Sequence, residues 1–148
     1  MNDSRRSRDL AHLLSTLERQ VVERQRAALG IEGCGVEEWR VINFLAEGGQ
    51  TMSEAAKYAG LAAPTLTKLV DRLVTNNIVY RRIALEDRRK VRIFLTRRGK
   101  SLHRRLAEIV ECCQAELLAE TADGELIADL LQRLDTPTVL RGIVSTSQ

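Results

Sequence analysis

The chain of 148 residues is 44% hydrophobic and 29% charged, which is enough apolar material for one compact core and too much for an intrinsically disordered chain. No apolar run approaches the roughly 20 residues that span a bilayer, and the first ten residues lack the apolar stretch of a signal peptide, so we expect a cytoplasmic protein without a membrane partner. The net charge of +3 hides a segregation that indicates a polyanionic partner, because residues 78–105 hold 11 basic and 2 acidic residues whereas residues 106–148 hold 2 and 8.

The first third of the chain predicts two helices. Apolar residues recur at the spacing of one helix face and predict a long helix from Ser4 to about Leu29; they are Leu10, Leu13, Leu14, Leu17 and Val21. A second helix is predicted from Val36 to the glycines at 48 and 49, with Trp39, Ile42 and Leu45 facing inward. Because so small a domain cannot cover the long first stripe by itself, we expect that stripe to bury against a second copy of the chain.

Two short helices joined by a tight turn follow. Ser53 is expected to cap a helix over residues 54–59, which Gly60 ends. The next helix carries apolar residues at i, i+3, i+4 and i+7, namely Leu66, Leu69, Val70 and Leu73, and its opposite face is polar. Pro64 suits its first turn, and Asn77 suits the left-handed position at its end. This pair has the outline of a helix-turn-helix.

The hydrophobic period then changes from 3.6 to 2, which indicates strands. The segments IVYRRI and KVRIFL flank a polar loop over residues 84–88 and predict an antiparallel hairpin. Val91, Ile93 and Leu95 share one face of the second strand, and Phe94 breaks the alternation. A basic hairpin directly after a helix-turn-helix is the arrangement of a winged helix.

Two more helices are predicted after the hairpin. The first follows Thr96 and extends to about Glu120, and the second lies near residues 124–134. Each carries an apolar stripe, formed by Leu102, Leu106, Ile109, Val110, Cys113 and Leu117 in the first and by Leu126, Leu130, Leu131 and Leu134 in the second. The tail beyond contains a helix-stopping Pro137 and shows no periodicity.

The residue patterns that catalysis or metal binding needs do not stand out. Cys34, Cys112 and Cys113 are odd in number and lack metal-ligand spacing, so we expect reduced thiols, no metal and no other cofactor. No Ser/His/Asp arrangement, glycine-rich phosphate loop or carboxylate pair is recognisable, so we expect a protein that is not an enzyme. Five aromatic residues also leave few platforms for stacking RNA bases.

The sequence resembles the MarR family of bacterial transcriptional regulators in three stretches. The hairpin DRRKVRIFLTRRG has the family's Asp-x-Arg turn at Asp87 and Arg89, PTLTKLVDRL has its Ser/Thr-rich start and LVDRL core, and EEWRVINFL is close to its second helix. The resemblance implies a mainly α fold with a small β-hairpin wing, that is, a winged helix-turn-helix with long N- and C-terminal dimerisation helices. Within a single domain of residues 1–148, it implies a DNA-binding core over 36–98 and a dimerisation region over 1–30 and 99–148.

The same resemblance implies a homodimer on double-stranded DNA, docked on a near-palindromic operator whose half-sites lie about 10 bp apart. The recognition helix would place Thr65 and Lys68 in the major groove, with Thr67 assisting and Arg72 on a phosphate. Further contacts are expected at the start of this helix, at the start of the preceding helix and along the wing, from Pro64, Ser53, Arg81, Arg82, Arg88, Lys90 and Arg92.

The wing turn has the most specific expected roles. By resemblance, Asp87 braces the turn and orients Arg89, whose guanidinium enters the minor groove. Asp71 is expected to pair with a nearby arginine rather than to approach phosphate. Ala62 stands where the family often has a capping serine, which leaves the operator preference open.

Family members often bind small aromatic acids in a cleft between the dimer helices and the winged helix. The residues that could line such a cleft here are His12, Trp39, Arg40, Asn43 and Tyr58. Arg40 would offer a fork to a carboxylate and Trp39 a ring to stack on, although core packing is the more ordinary explanation of Trp39. Cys34, in a glycine-rich loop before a helix, is the candidate for redox sensing.

We therefore expect a sequence-specific DNA-binding transcriptional regulator, a repressor released by a small ligand such as an aromatic acid. Two alternatives stay open. The first is a redox-sensing regulator of the same family that uses Cys34, and the second is a non-sensing architectural DNA-binding protein. Operator footprinting separates sequence-specific binding from the architectural alternative.

Overall fold

The computed structural model describes residues 9–135, which form six helices and three short strands. The helices are α1 (Leu10–Gly30), α2 (Val36–Leu45), α3 (Met52–Ala59), α4 (Ala63–Thr75), α5 (Arg97–Ala119) and α6 (Gly124–Asp135). The strands are β1 (Gln50–Thr51), β2 (Val79–Ile83) and β3 (Val91–Leu95). The expected mainly helical fold with a small β-hairpin wing is therefore confirmed. The expected helix start at Ser4 and the tail with Pro137 lie outside the described residues.

The chain divides into two compact units between Cys113 and Gln114, within the length of α5. The first unit contains α1 to α4, the sheet and most of α5, and the second contains α6. The expected division into a core over 36–98 and dimerisation regions over 1–30 and 99–148 stays a prediction. Within the described residues, no helix is both long and apolar enough to cross a membrane.

The core of the first unit lies beneath the helix-turn-helix formed by α3 and α4. All four residues of the expected α4 stripe are buried, as are the inward residues expected in α2, and β3 adds Ile93 and Leu95. Leu29 of α1 and Leu106 of α5 are fully enclosed against this cluster. Each such side chain stabilises the fold by roughly 1.5–3 kcal/mol relative to leaving it exposed.

The N-terminus of α3 differs from the expectation. Thr51, not Ser53, is the N-cap: its hydroxyl accepts from the Glu54 backbone N–H, and the Glu54 carboxylate accepts from the Thr51 backbone N–H at 2.8 Å. Such a reciprocal capping box satisfies two helix-end donors, so the helix begins at Met52. Gly60 ends α3 in the left-handed conformation at φ 68°, which glycine adopts without strain. Ala62 then precedes α4 without a side-chain cap.

The three strands form one antiparallel sheet with β3 in the centre. β2 pairs with β3 in a register that places Val79 opposite Leu95 and Ile83 opposite Val91. β1, which sequence periodicity did not reveal, pairs its two residues with Ile93 and Arg92. Phe94, which broke the alternation, stacks on Tyr80 with ring centroids 5.3 Å apart.

The base of the wing is tied to the start of α5. The Thr96 hydroxyl donates to the Asn77 carbonyl at 2.6 Å and accepts from the Gly99 backbone N–H at 2.9 Å. Asn77 adopts the expected left-handed conformation at φ 59°. Gly99 packs so closely that a Cβ there would lie 2.1 Å from the Ile78 carbonyl oxygen. The recognition helix α4, the wing and α5 are therefore joined at one rigid corner.

Apolar residues remain exposed on two helices. In the first unit, Leu10, Leu13 and Leu14 of α1 are exposed, although they lie on the stripe that sequence periodicity identified. In the second unit, α6 exposes its leucine stripe, which comprises Leu126, Leu130, Leu131 and Leu134. The expectation that these terminal helices bury their stripes in a homodimer stays a prediction.

Candidate nucleic-acid interface

The exposed arc of α4 carries the residues expected to enter a major groove. Thr65 and Lys68 are exposed, as is Pro64 in the first turn. The Thr67 hydroxyl donates to the Ala63 carbonyl at 2.9 Å, so its proton is already used within the helix. Thr67 can therefore offer a nucleic acid only an acceptor, which narrows its expected assisting role.

Two arginines beside this arc are held by carboxylates. Arg72 lies 3.5 Å from Glu38, measured from its Nε to the carboxylate Oε1. The Glu38 side chain is largely buried, and its other oxygen accepts from the Gly35 backbone N–H at 3.2 Å. Arg81 of β2 donates to Asp71 of α4 at 2.5 Å, which gives Asp71 the arginine partner that the sequence predicted. The second pair also ties the wing to the recognition helix.

The tip of the wing presents cations in a braced turn. The Asp87 carboxylate accepts from the Arg89 backbone N–H at 3.0 Å, and the Asp87 carbonyl accepts from the Lys90 N–H at 2.9 Å. Arg88, Arg89 and Lys90 are exposed, and none of them forms an ion pair within residues 9–135. The turn that Asp87 was expected to brace is present, and the entry of Arg89 into a minor groove stays a prediction.

Arg82 and Arg92 face each other across β2 and β3. The Arg92 guanidinium donates to the Gly49 carbonyl at 3.1 Å, so this side chain helps to hold the segment before β1. The two arginines line an open groove of about 300 Å³ together with Phe94 and residues 83–86. Two cations at directly opposite positions of neighbouring strands make this end of the sheet positively charged.

Ser53 is exposed at the second position of α3, where its hydroxyl no longer caps the helix. Hydrogen bonds from the backbone and side chain of Thr51 hold the pKa of the Glu54 carboxyl below its ordinary value. An ionised Glu54 therefore occupies the helix end that would otherwise favour an anion. The expected phosphate contact of Ser53 loses the capping geometry on which it was based.

An aromatic cluster lies where α2 meets α5. Trp39 stacks on His103 with ring centroids 5.6 Å apart and planes 8° from parallel, and His103 Nε2 lies 3.0 Å from Asn43 Oδ1. Burial lowers the pKa of His103, which favours the neutral ring. Sequence reasoning missed His103, although it stands on the inward stripe of α5, three residues before Leu106.

The five residues expected to line a ligand cleft are divided among several contacts. Trp39 is buried and joins Asn43 in the aromatic cluster. Arg40, next to Trp39, forms a 3.6 Å ion pair with Glu18 of α1, and Tyr58 stacks on Phe44 with centroids 4.4 Å apart. His12 is exposed on α1. The described contacts thus bring together only Trp39 and Asn43, with Arg40 beside them on the same helix.

Cys34 does not have the environment expected of a redox site. Its side chain is buried, and its thiol donates to the Gly35 carbonyl at 3.4 Å. Burial, followed by the negative charge of Glu38, raises the pKa of the thiol to about 12, so the reactive thiolate is scarce near neutral pH. The redox role expected of Cys34 stays a prediction, and this burial does not favour it. Among the described residues, no group of three or more His, Cys, Asp or Glu side chains is placed to hold a metal ion.

The comparisons with known proteins agree with this geometry. A family model described as MarR family matches residues 33–90. The homoprotocatechuate degradative operon repressor of Escherichia coli is 28% identical over 99 residues, which are 66% of this chain and 64% of the relative. The chain thus matches a little under two thirds of that relative's length.

Two solved structures share the fold closely. CouR from Rhodococcus jostii RHA1, bound to p-coumaroyl-CoA, superposes with a TM-score of 0.74 and 26% identity, covering 89% of this chain and 95% of CouR. NadR in complex with 4-hydroxyphenylacetate superposes with a TM-score of 0.75 and 25% identity, covering 90% of this chain and 97% of NadR. Both similarities cover about nine tenths of the chain.

Proposed function

The chain belongs to the MarR family, and from that premise we propose that it is a transcriptional repressor that binds a near-palindromic operator as a homodimer and is released by a small ligand. The observation that carries the proposal is the pair of cationic surfaces on α4 and the wing, joined by the Arg81–Asp71 ion pair. A DNA duplex offers an adjacent major and minor groove to such a pair, with phosphates between them.

Each part of the DNA-binding surface has its own task in this proposal. Thr65 and Lys68 read base edges in the major groove, where the donor and acceptor pattern distinguishes the base pairs. Arg89 enters the minor groove, where narrow A·T-rich stretches concentrate negative potential. Arg88 and Lys90 hold the phosphates at its edge, and Arg82 and Arg92 add to the attraction.

The homodimer would bury the leucines that α1 exposes in the first unit and, separately, those that α6 exposes in the second. Monomeric proteins rarely leave contiguous apolar stripes in water, which supports an intermolecular partner for them. A dimer also supplies the two half-sites that a palindrome requires.

The proposed effector is a small aromatic acid or its thioester. The two similar structures are complexes with 4-hydroxyphenylacetate and p-coumaroyl-CoA. Here Trp39, Asn43 and His103 offer a stacking plane and neutral hydrogen-bonding groups, and Arg40 offers a guanidinium. An arriving carboxylate would compete with Glu18 for Arg40.

A competition titration tests the proposal. The DNA that flanks the coding region is labelled and bound, then competed with unlabelled copies and with a scrambled duplex of equal length. We expect the specific duplex to compete at least roughly a thousandfold better, which is the lower end for specific regulators. Equal competition by the scrambled duplex would instead establish the architectural alternative.

The ligand part has its own readout, because Trp39 is the single tryptophan of the chain. Addition of 4-hydroxyphenylacetate or p-coumaroyl-CoA is expected to change its fluorescence and to release the labelled operator. Arg40→Gln should weaken both effects, whereas Arg26→Gln, which removes an exposed arginine paired with Glu23 elsewhere on the surface, should leave them unchanged. Trp39 fluorescence that does not change when either ligand is added would contradict this assignment of the effector class.

A further inference from the structure

The outer end of the wing exposes three apolar residues, although it lies in the most basic segment of the chain. Ile83 and Val91 stand directly opposite each other in the β2–β3 register and are 59% and 37% exposed. Leu85, just beyond β2, is 89% exposed. Single exposed apolar residues are ordinary on protein surfaces, but three neighbours at the end of a basic hairpin form a patch that needs a partner. We call these three residues the apolar wing end.

The apolar wing end continues the surface of the recognition helix. Side chains alternate along a strand, so Arg81 and Ile83 lie on the same face of β2. Arg81 reaches from that face to Asp71 on the exposed arc of α4. Ile83 and Val91 therefore extend the surface of that arc toward the wing tip. The opposite face is different, because there Tyr80 and Phe94 stack on each other.

The core of the first unit does not reach this far. On the same face, Val79, Ile93 and Leu95 are buried, whereas the next cross-strand pair outward is Ile83 and Val91. The apolar alternation that builds the inner wing thus extends one pair beyond what the fold covers. Leu85 lies just past that pair and lines the open groove that Arg82, Arg92 and Phe94 also line. Folding alone does not account for a leucine that is 89% exposed.

We propose that the apolar wing end packs against the deoxyribose edges of the minor groove in which Arg89 sits. The walls of that groove expose sugar C–H groups between two rows of phosphates. Exposed cations follow Leu85 in the chain after the exposed Glu86, since Arg88, Arg89 and Lys90 lie within five residues of it, and they suit those phosphates. Minor-groove proteins also place apolar side chains in the groove, commonly as wedges between base steps. The contact proposed here is shallower and stays on the sugars. The inference rests on the proposed DNA-binding function and adds an uncharged contact to it.

The test compares Leu85→Ser and Leu85→Met with Ile31→Ser. Ile31 is a matched control, because it is 85% exposed and follows α1, away from the wing. Duplex affinity is measured at several salt concentrations, and particle mass is measured by light scattering. We expect Leu85→Ser to weaken binding about tenfold, as loss of a buried leucine contact would, while Leu85→Met and Ile31→Ser stay within about twofold of the unchanged chain.

The salt dependence separates an apolar contact from an effect on the neighbouring cations. Leu85→Ser should leave the slope of log affinity against log salt unchanged, since no counterion is released by a sugar contact. Unchanged affinity or a smaller slope in Leu85→Ser would overturn the proposal. An altered particle mass would also overturn it, because it would assign the patch to a second copy of the chain. Sugar contacts carry no sequence information, so a scrambled duplex tests them as well as the operator does. If the protein binds the two duplexes equally, the proposed sequence-specific function fails while the sugar contact can still be measured.

Discussion

Arg72 of the recognition helix and Arg89 of the wing both lie exposed on the basic surface, yet they differ in what holds them. Glu38 lies 3.5 Å from the Arg72 guanidinium, so a carboxylate already neutralises part of its charge. Arg89 is held through its backbone, whose N–H donates to Asp87, and its guanidinium has no ion-pair partner within residues 9–135. The helix thus orients its arginine by charge, and the wing orients its arginine by the shape of a turn.

The difference indicates a division of labour between the two surfaces. A phosphate that binds Arg72 must compete with Glu38, which reduces the net gain from that contact. A phosphate or groove that binds Arg89 competes only with water. We therefore expect the wing to supply most of the salt-dependent attraction to DNA, and the helix to supply position and base contacts.

The substitution with the largest expected effect disturbs the corner that supports both the recognition helix and the wing. In Gly99→Ala, the new Cβ would lie 2.1 Å from the Ile78 carbonyl oxygen, so the corner that joins the wing to α5 must shift. We expect a loss of about 3 kcal/mol in the free energy of unfolding, measured by urea denaturation. Gly30→Ala is the matched control, because a Cβ there meets nothing within 4 Å. Equal stability of the two variants would mean that the corner is not rigid.

A smaller effect separates the two arginines directly. Arg89→Ala should lower operator affinity about tenfold or more. It should also reduce the slope of log affinity against log salt by about one unit, because one cation fewer displaces counterions from the DNA. Arg72→Ala should lower affinity only about twofold, since Glu38 already competes for that guanidinium. Both variants should keep the particle mass of the unchanged chain. Equal losses in the two titrations would remove the distinction between helix and wing.

Much of the fold that positions these surfaces could be predicted from the sequence. The α4 stripe and the antiparallel hairpin follow from apolar periodicity, because one buried face leaves few alternative arrangements. The Asp71 partnership was also predictable, since a carboxylate on a cationic surface has arginines within reach. The cap of α3 carried a readable signal that was passed over, because Thr51 and Glu54 have the spacing of a capping box.

The remaining features depend on contacts between residues far apart in the chain. β1 has only two residues, too few for any period to appear. Asn43 and His103 are 60 positions apart, and Glu38 and Arg72 are 34 apart, so neither pairing is visible before the chain folds. The burial of Cys34 depends on such contacts too, because a glycine-rich loop suggests exposure while the tertiary fold buries its thiol.

Glu38 acts on both Arg72 and the Cys34 thiol, and its effect on DNA affinity is the smallest expected among these variants. Because the thiol pKa is raised from 9.0 to about 12, the thiolate fraction at pH 8 should be roughly a thousandfold below that of an ordinary cysteine. Iodoacetamide, followed by mass spectrometry, should therefore label exposed Cys112 long before Cys34. The same shift means that Cys34 supports the fold fully below pH 9 and loses this contribution as the pH rises toward 12.

Glu38→Gln removes the second cause of that shift and also releases Arg72. We expect Cys34 labelling to rise severalfold while it stays slower than Cys112, because burial, the larger cause, remains. Affinity for a scrambled duplex should rise about twofold with the freed guanidinium. Glu37→Gln removes the neighbouring carboxylate, which neither holds Arg72 nor acts on the thiol, and should change neither measurement. If both variants change the two measurements equally, net charge rather than the Glu38 contact determines the DNA affinity of the recognition helix. The difference between Arg72 and Arg89 would then have to be explained by their exposure alone.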